Sequence, residues 1–154
     1  MRQIDDISQI ALNIARNCGW HVFPCRADNK APMTKRGFHD ARNASSEILR
    51  LPWQTDALIG IRTGEASGIS VLDVDIKHAE ACGWWRLNER HLPHTRTYRT
   101  RGGGLHLYFQ HCPGVRNSEA NPVLGIDVRG QGGYVIHWFA QPSALWPFLR
   151  TMAG

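Results

Sequence analysis

The sequence predicts an α+β domain in which helices pack on one face of a sheet. The chain has 154 residues, of which 42% are hydrophobic and 20% charged, as in a single globular domain with a real core. Short apolar segments bounded by turn residues alternate irregularly with helical segments. Because no regular β-α repeat links them, we expect an α+β fold rather than a doubly wound one.

The N-terminal part predicts two helices and two strands. They are a helix at residues 4–17, a strand at 20–24, a short helix that opens at Ser45 and stops at Pro52, and a strand at 57–62. The first helix is amphipathic, has acids in its first turn and ends at Cys18-Gly19. A loop rich in basic and turn residues follows the first strand.

The remainder predicts further strands around one helix. They are an acidic strand at 69–76, a helix at 77–90, strands at 95–100 and 105–110 flanking a glycine turn, a strand pair at 125–129 and 134–138 around G-Q-G-G, and a final helix begun by A-L-W-P-F-L-R at 144–150. Trp84, Trp85 and Leu87 are available for burial on the helix. We expect one domain over residues 1–154, cut from a longer replication protein because it ends abruptly at Met152-Ala153-Gly154.

Charge and cysteine content narrow the class of protein. Eighteen Lys and Arg against 13 Asp and Glu give a net charge of +5, which favours an anionic partner such as nucleic acid or nucleotide. The four cysteines form no C-x-x-C pair. No signal peptide or membrane-spanning segment is expected, so the predicted setting is the reducing cytoplasm.

The acidic strand I-S-V-L-D-V-D-I contains the first candidate site. Strand side chains alternate, so Asp73 and Asp75 share one face. Two like charges on an apolar strand destabilise it unless a positive group lies between them. An alternative is an exposed sheet edge on which both residues cap the next helix near Lys77.

A third carboxylate completes a candidate metal centre. Asp127 lies between apolar residues in G-I-D-V-R-G, where a lone Asp would be unfavourable. Three carboxylates suit hard divalent ions. Two such ions would neutralise Asp73, Asp75 and Asp127 and are the apparatus of phosphoryl or nucleotidyl transfer.

The segment T-R-G-G-G-L-H-L-Y-F predicts phosphate contacts. Gly103 and Gly104 allow a close approach of backbone N–H groups, Arg101 adds a positive fork, and His106 can donate to a phosphate oxygen. A tight hairpin with a packed strand histidine explains the same residues. Further cations that could contact phosphates or a template are Lys30, Lys35, Arg36 and Arg62, although loop charges are usually only solvated.

Arg129 shares its predicted strand face with Asp127 and could pair with it or with a triphosphate.

Several nucleotide and hydrolase motifs are missing. The sequence has no G-x-x-x-x-G-K-[ST], no G-x-G-x-x-G after a strand and no G-x-S-x-G. The segment around His106 also lacks the second histidine that rolling-circle initiators need.

The ordered set of motifs resembles the primase-polymerase domains of the archaeo-eukaryotic primase superfamily. It is most similar to the bifunctional DNA primase/polymerase N-terminal domains found on plasmids, phages and integrated elements. The three matching motifs are D-V-D at Asp73–Asp75, G-L-H at Gly104–His106 and the hydrophobic-Asp at Asp127. G-W-H-V-F-P-C, K-A-P, I-G-I-R-T-G and Q-P-S extend the similarity over residues 5–145.

The resemblance implies an RRM-like mixed sheet with packed helices, and template-directed synthesis of DNA or RNA from dNTPs or NTPs. It implies two Mg²⁺ or Mn²⁺ ions on the three acids and phosphate contacts from His106. Partners would be a single-stranded or primed DNA template and a helicase in cis or trans. The chain departs from the family in having Arg101-Gly102 where Pro-Ser is frequent, and in lacking a zinc-binding stem.

Two other functions remain open from the sequence. A replication initiator's domain could hold DNA or nucleotide without catalysis, which would agree with the basic charge and the short length. A two-metal nuclease could use the same carboxylates to activate water.

Overall fold

The computed structural model describes residues 2–138 and shows an α+β protein. The predicted final helix and the Q-P-S segment at 141–143 lie outside these residues. The elements, in chain order, are α1 (Arg2–Cys18), β1 (Val22–Cys25), α2 (Ser45–Ile48), β2 (Leu58–Arg62), β3 (Ile69–Val74), α3 (Ala79–Asn88), β4 (Arg96–Arg99), β5 (Leu105–Gln110), β6 (Ile126–Arg129) and β7 (Tyr134–Ile136). The predicted fold class is confirmed.

The described chain divides into two compact units. The first comprises residues 2–68 and 133–137, and the second comprises residues 69–132 and 138. The prediction of a single catalytic domain stays a prediction. Within residues 2–138, no helix is both long enough and apolar enough to cross a membrane.

The first unit is built on an antiparallel sheet of order β1-β2-β7, which α1 contacts through β1. Its core includes Phe23, Ile59 and Ile61, all at most 1% exposed. Gly60 of β2 has no room for a side chain, since a Cβ there would lie 2.7 Å from both Cys25 Sγ and Phe23 Cζ. Close packing across this strand pair therefore requires glycine at that position.

The second unit is a four-stranded sheet of order β4-β5-β3-β6. Each adjacent pair is antiparallel, whereas a mixed sheet was expected. Strands β3 and β4 nevertheless run in the same direction, with β5 between them and α3 in the connection. This is a split β-α-β unit, the arrangement of RRM-like folds.

Helix α3 covers one face of the second unit's sheet. Ala81 is fully buried against a cluster formed by Val74, Leu105, Leu107 and Ile126, and both tryptophans of α3 pack onto its edge. Burial of each such aliphatic side chain stabilises the fold by about 1.5–3 kcal/mol. Because strand side chains alternate, the same strands send their polar residues to the opposite face.

The predicted pairing of the last two strands is wrong. Strand β6 pairs with β3, and β7 pairs with β2 of the other unit's sheet. The G-Q-G-G segment is not a hairpin: Gln131 donates its N–H to Val115 O, and Gly133 O accepts from the N–H of Thr63. These bonds lie where the chain passes from the second unit to the first. The glycines therefore belong to the connection between the units and not to a hairpin turn.

Candidate active site

The central strand β3 brings Asp73 beside two of the other predicted site residues. In the register of the sheet, Asp73 lies directly opposite His106 of β5 and directly opposite Asp127 of β6. Direct partners in antiparallel strands project from the same face, with Cβ atoms roughly 4.5–5.5 Å apart. The three side chains thus form one row, on the face that α3 does not cover. Strand β3 is an inner strand, so the interpretation as an exposed sheet edge is wrong.

His106 is the buried member of the row. Its side chain is 7% exposed, and its Nε2 lies 3.4 Å from Asp73 Oδ2. Among the described residues, Nδ1 of this ring has no hydrogen-bond partner. The imidazole is therefore tied to the sheet through the carboxylate of Asp73 and not through its other nitrogen.

Asp127 is held by two donors. Its Oδ1 accepts the backbone N–H of Ala120 at 2.9 Å, and its Oδ2 accepts from Nη2 of Arg129 at 3.0 Å. Arg129 also lies 3.8 Å from Glu119. Of the two partners that the sequence leaves open for Arg129, the structure shows Asp127. With one hydrogen bond on each oxygen, the carboxylate still has lone pairs for a further ligand.

Asp75 lies just beyond the end of β3. Its backbone N–H still bonds to Gly125 O at 2.8 Å, but its Oδ1 accepts the N–H of Lys77 at 3.2 Å, and His78 Nε2 is 3.8 Å from Oδ2. The carboxylate thus closes a turn before α3, as the alternative interpretation near Lys77 expects. The predicted strand to residue 76 is two residues too long because this turn starts at Asp75.

The glycine turn between β4 and β5 packs on the end of β3. Gly104 donates to Thr100 Oγ1 at 3.0 Å, and a Cβ on Gly104 would lie 2.4 Å from Val74 O. Gly103 instead has φ of +89° and nothing within 4 Å of its Cβ position. Gly104 is therefore required for packing, whereas the Cβ position of Gly103 faces open space.

The remaining predicted cations lie in different places. Arg101 is exposed at the glycine turn, with its guanidinium 5.0 Å from the centre of the Trp138 ring. Lys30 belongs to the first unit, where its carbonyl accepts from the hydroxyl of Tyr134 at 2.9 Å. It has φ of 65°, a left-handed conformation within the basic loop.

The row contains carboxylate oxygens, which are the ligands that hard divalent cations prefer. Asp73 and Asp127 are about one-quarter exposed and are direct cross-strand partners, an arrangement of like charges that a cation would stabilise. Over residues 2–138, however, no three His, Cys, Asp or Glu side chains are already close enough to hold a metal ion.

Comparison with known families decides what kind of domain carries this row. The family model described as "Bifunctional DNA primase/polymerase, N-terminal" matches residues 11–148, nearly the whole chain. The chain belongs to this family. A search of curated proteins finds no match.

As a member of the primase/polymerase family, the protein is a nucleotidyltransferase of DNA replication. The family implies nucleotide and DNA substrates and suggests divalent metals. The α+β structure with two antiparallel sheets agrees with the fold of these domains.

Two residues near the row were missed by sequence reasoning. Lys77 Nζ lies beside the glycine turn, 3.3 Å from where a Cβ of Gly102 would be. Tyr98 pairs directly with His106 and extends the row across β4. The hairpin register around the glycine turn could have identified Tyr98, since pairing outward from Thr100 and Gly104 places it opposite the histidine.

Proposed function

We propose that this primase/polymerase domain extends nucleic-acid strands on a template at the row of Asp73, His106 and Asp127. The observation that supports this proposal is that Asp73 of β3 and Asp127 of β6 lie directly opposite each other in the sheet. Asp73, Asp127 and Asp75 would hold two Mg²⁺ or Mn²⁺ ions. Bound divalent ions stabilise the charge that develops on the transferred phosphoryl group.

The protein's own side chains position the incoming nucleotide in this proposal. His106 would donate its Nε2–H to a phosphate oxygen of the nucleotide, since this nitrogen lies beside the Asp73 carboxylate at the proposed metal site. Arg129, once Asp127 is neutralised, pairs with the triphosphate in the same way. The buried setting of His106 keeps its ring in one orientation for that contact.

Phosphate contacts at the glycine turn complete the site in this proposal. Gly103 is open and can present its backbone to a phosphate oxygen, and Gly104 keeps the turn against β3. Arg101 contributes a charged fork at the exposed tip of the turn. Lys30, on the basic loop, is assigned to the template or the triphosphate.

The test replaces each acid by its amide. Asp73→Asn and Asp127→Asn should lower template-dependent dNTP incorporation by roughly 100-fold or more, because an amide cannot supply the ionised oxygen. Both variants should also lose Mn²⁺ binding in a calorimetric titration, which for the wild type should show two sites. Asp75→Asn reports separately whether the turn carboxylate takes part. Asp56→Asn, an exposed acid of the first unit, is the matched control.

Product analysis distinguishes the other two functions. Growth of a labelled primer that requires both template and triphosphate supports the polymerase. Metal-dependent shortening of the labelled strand would instead identify a nuclease. Binding of DNA without Mn²⁺ binding and without incorporation on primed templates would leave a non-catalytic binding domain.

We also propose the setting that the family resemblance implies. The domain would act on single-stranded or primed DNA exposed by a helicase, present in cis or in trans, within a plasmid or phage element. Co-purification of DNA-stimulated ATPase activity with the protein from its host would support the helicase partner.

A further inference from the structure

A polar groove lies in the first unit, built from residues that the proposed catalytic row does not use. It has a volume of about 400 Å³, and its walls come from the turn around Gly37–Asp40 and from α2 with the residues that follow it. The lining residues are Thr34, Lys35, Asp40, Arg42, Glu47, Arg50, Leu51 and Pro52. This volume is within the range of roughly 300–1,000 Å³ that small-ligand sites occupy.

Both acids of the groove already have cationic partners. Asp40 accepts the backbone N–H of Arg36 at 2.8 Å and its Nε at 2.9 Å. The backbone bond from Arg36 holds the pKa of Asp40 below its usual value, so the carboxylate stays ionised and paired. Glu47 lies 3.5 Å from Nε of Arg42.

Arg42 is fixed in place as well as paired. Its Nη1 donates to the carbonyl oxygens of Ala41 at 3.0 Å and His39 at 3.3 Å. Its guanidinium therefore needs little rearrangement to present its remaining donors. One wall of the groove is in this sense preorganised.

Lys35 and Arg50 are the two cations of the groove that have no acidic partner among residues 2–138. Both are exposed and line the same groove, and neither side chain has a hydrogen bond or ion pair with any residue in 2–138. Two cations facing one groove, with its acids already neutralised, attract a ligand that carries more than one negative charge. Neighbouring phosphates of a nucleic-acid backbone have this character.

An aromatic pair adjoins the groove. Phe38 and His39 lie next to Asp40 on the same turn, with ring centres 4.4 Å apart and planes tilted by 32°. His39 is exposed, so one face of its ring can receive a base. Basic grooves flanked by stacking rings are typical of single-strand binding sites.

We propose that this groove binds the backbone of a single-stranded nucleic acid through Lys35 and Arg50. Arg42 forms a fixed part of the wall beside them. The inference relies on the DNA substrate of the family and is independent of metal binding by the acids of β3 and β6. The groove would hold a strand whether or not the catalytic row is occupied.

The test measures strand binding without metal. Fluorescence anisotropy with a labelled single-stranded oligonucleotide in EDTA, over a series of salt concentrations, compares the wild type with Lys35→Ala/Arg50→Ala. Loss of two contacts should make the slope of log K against log salt shallower by about 1.4, which at 0.1 M salt is about 25-fold in affinity. Arg86→Ala/Arg90→Ala removes two exposed charges of the second unit and is the matched control.

Each outcome decides the matter. A shallower slope in the groove variant, with the control near wild type, supports the proposal. Equal behaviour of the two double variants overturns it, since net charge alone then explains the binding. If the groove variant loses dNTP affinity but keeps the strand, the groove binds free phosphates and the proposal fails. Asp73→Asn should bind the strand normally, so failure of the catalytic proposal is scored separately.

Discussion

Asp127 depends on two donors that belong to different parts of the chain, Ala120 in the preceding loop and Arg129 on its own strand. Its need for a partner could be predicted because a lone Asp in an apolar strand would be unfavourable. The Ala120 bond could not, since it depends on how the irregular segment 111–125 folds back onto β6. The same segment brings Glu119 to Arg129 and thereby forms a chain of three charges.

Arg129→Gln should reveal the repulsion between the two opposed acids. The variant should lose about 1 kcal/mol of stability, because a charge-assisted bond is removed from a carboxylate that is only about one-quarter exposed. Thermal unfolding would show this as a fall of roughly 2–4 °C in Tm. With saturating Mn²⁺ the gap to wild type should narrow, since the acids then have another counter-charge.

Arg90→Gln, an exposed cation of the second unit, controls for general charge effects. A gap between Arg129→Gln and wild type that Mn²⁺ leaves unchanged would show that Arg129 is not the resting counter-charge of Asp127.

At the scale of elements, β5 has the bounds that the sequence predicts, because its alternating residues lie between a glycine turn and a proline turn. Strand β3 was predicted too long, since the bond from Lys77 to Asp75 is a side-chain effect that hydrophobic patterning does not register. The order β4-β5-β3-β6 depends on pairings between distant segments. Periodicity cannot supply these pairings, and the resemblance implied an RRM-like mixed sheet without an order of strands.

Two glycine-to-alanine changes, one in the glycine turn and one in α3, should have opposite effects on stability. Gly104→Ala should destabilise the protein by about 1–3 kcal/mol, because its Cβ would collide with backbone atoms of β3 that cannot move aside. Gly83→Ala should stabilise it by about 0.5–1 kcal/mol, because Gly83 is inside α3 with nothing near its Cβ position. Urea unfolding of both variants measures the difference, and equal midpoints would contradict the packing described for the turn.

At the scale of the whole molecule, the chain passes between two units at Gly68, Gly132 and His137. The sequence predicted one sheet, because strand patterns show which face is apolar but not which sheet a strand joins. The first and last strands of the first unit are far apart along the chain, so closing its sheet requires long-range contact that local patterns do not encode.

Thiol reactivity should follow burial across the molecule. Cys112 is exposed and Cys25 is fully buried. Burial raises the pKa of Cys25 to about 12, so at pH 8 it stays protonated and unreactive. With a thiol reagent, Cys112 should react first, and Cys25 should react only when the first unit opens.

Mass spectrometry of the labelled peptides identifies each site, and Cys112→Ser removes the fast phase as a control. Fast labelling of Cys25 in native buffer would mean that the β1-β2 pair opens readily.

The row of Asp73, His106 and Asp127 exists in only one alignment of three strands. Because side chains alternate along a strand, sliding β6 by a single position against β3 would send Asp127 toward α3 and bring Ile126 or Val128 to its place. Insertions or deletions of one residue inside these strands should therefore abolish the site even if Asp73, His106 and Asp127 are all retained. Within these strands, the row therefore depends on the spacing of residues as strictly as on their identity.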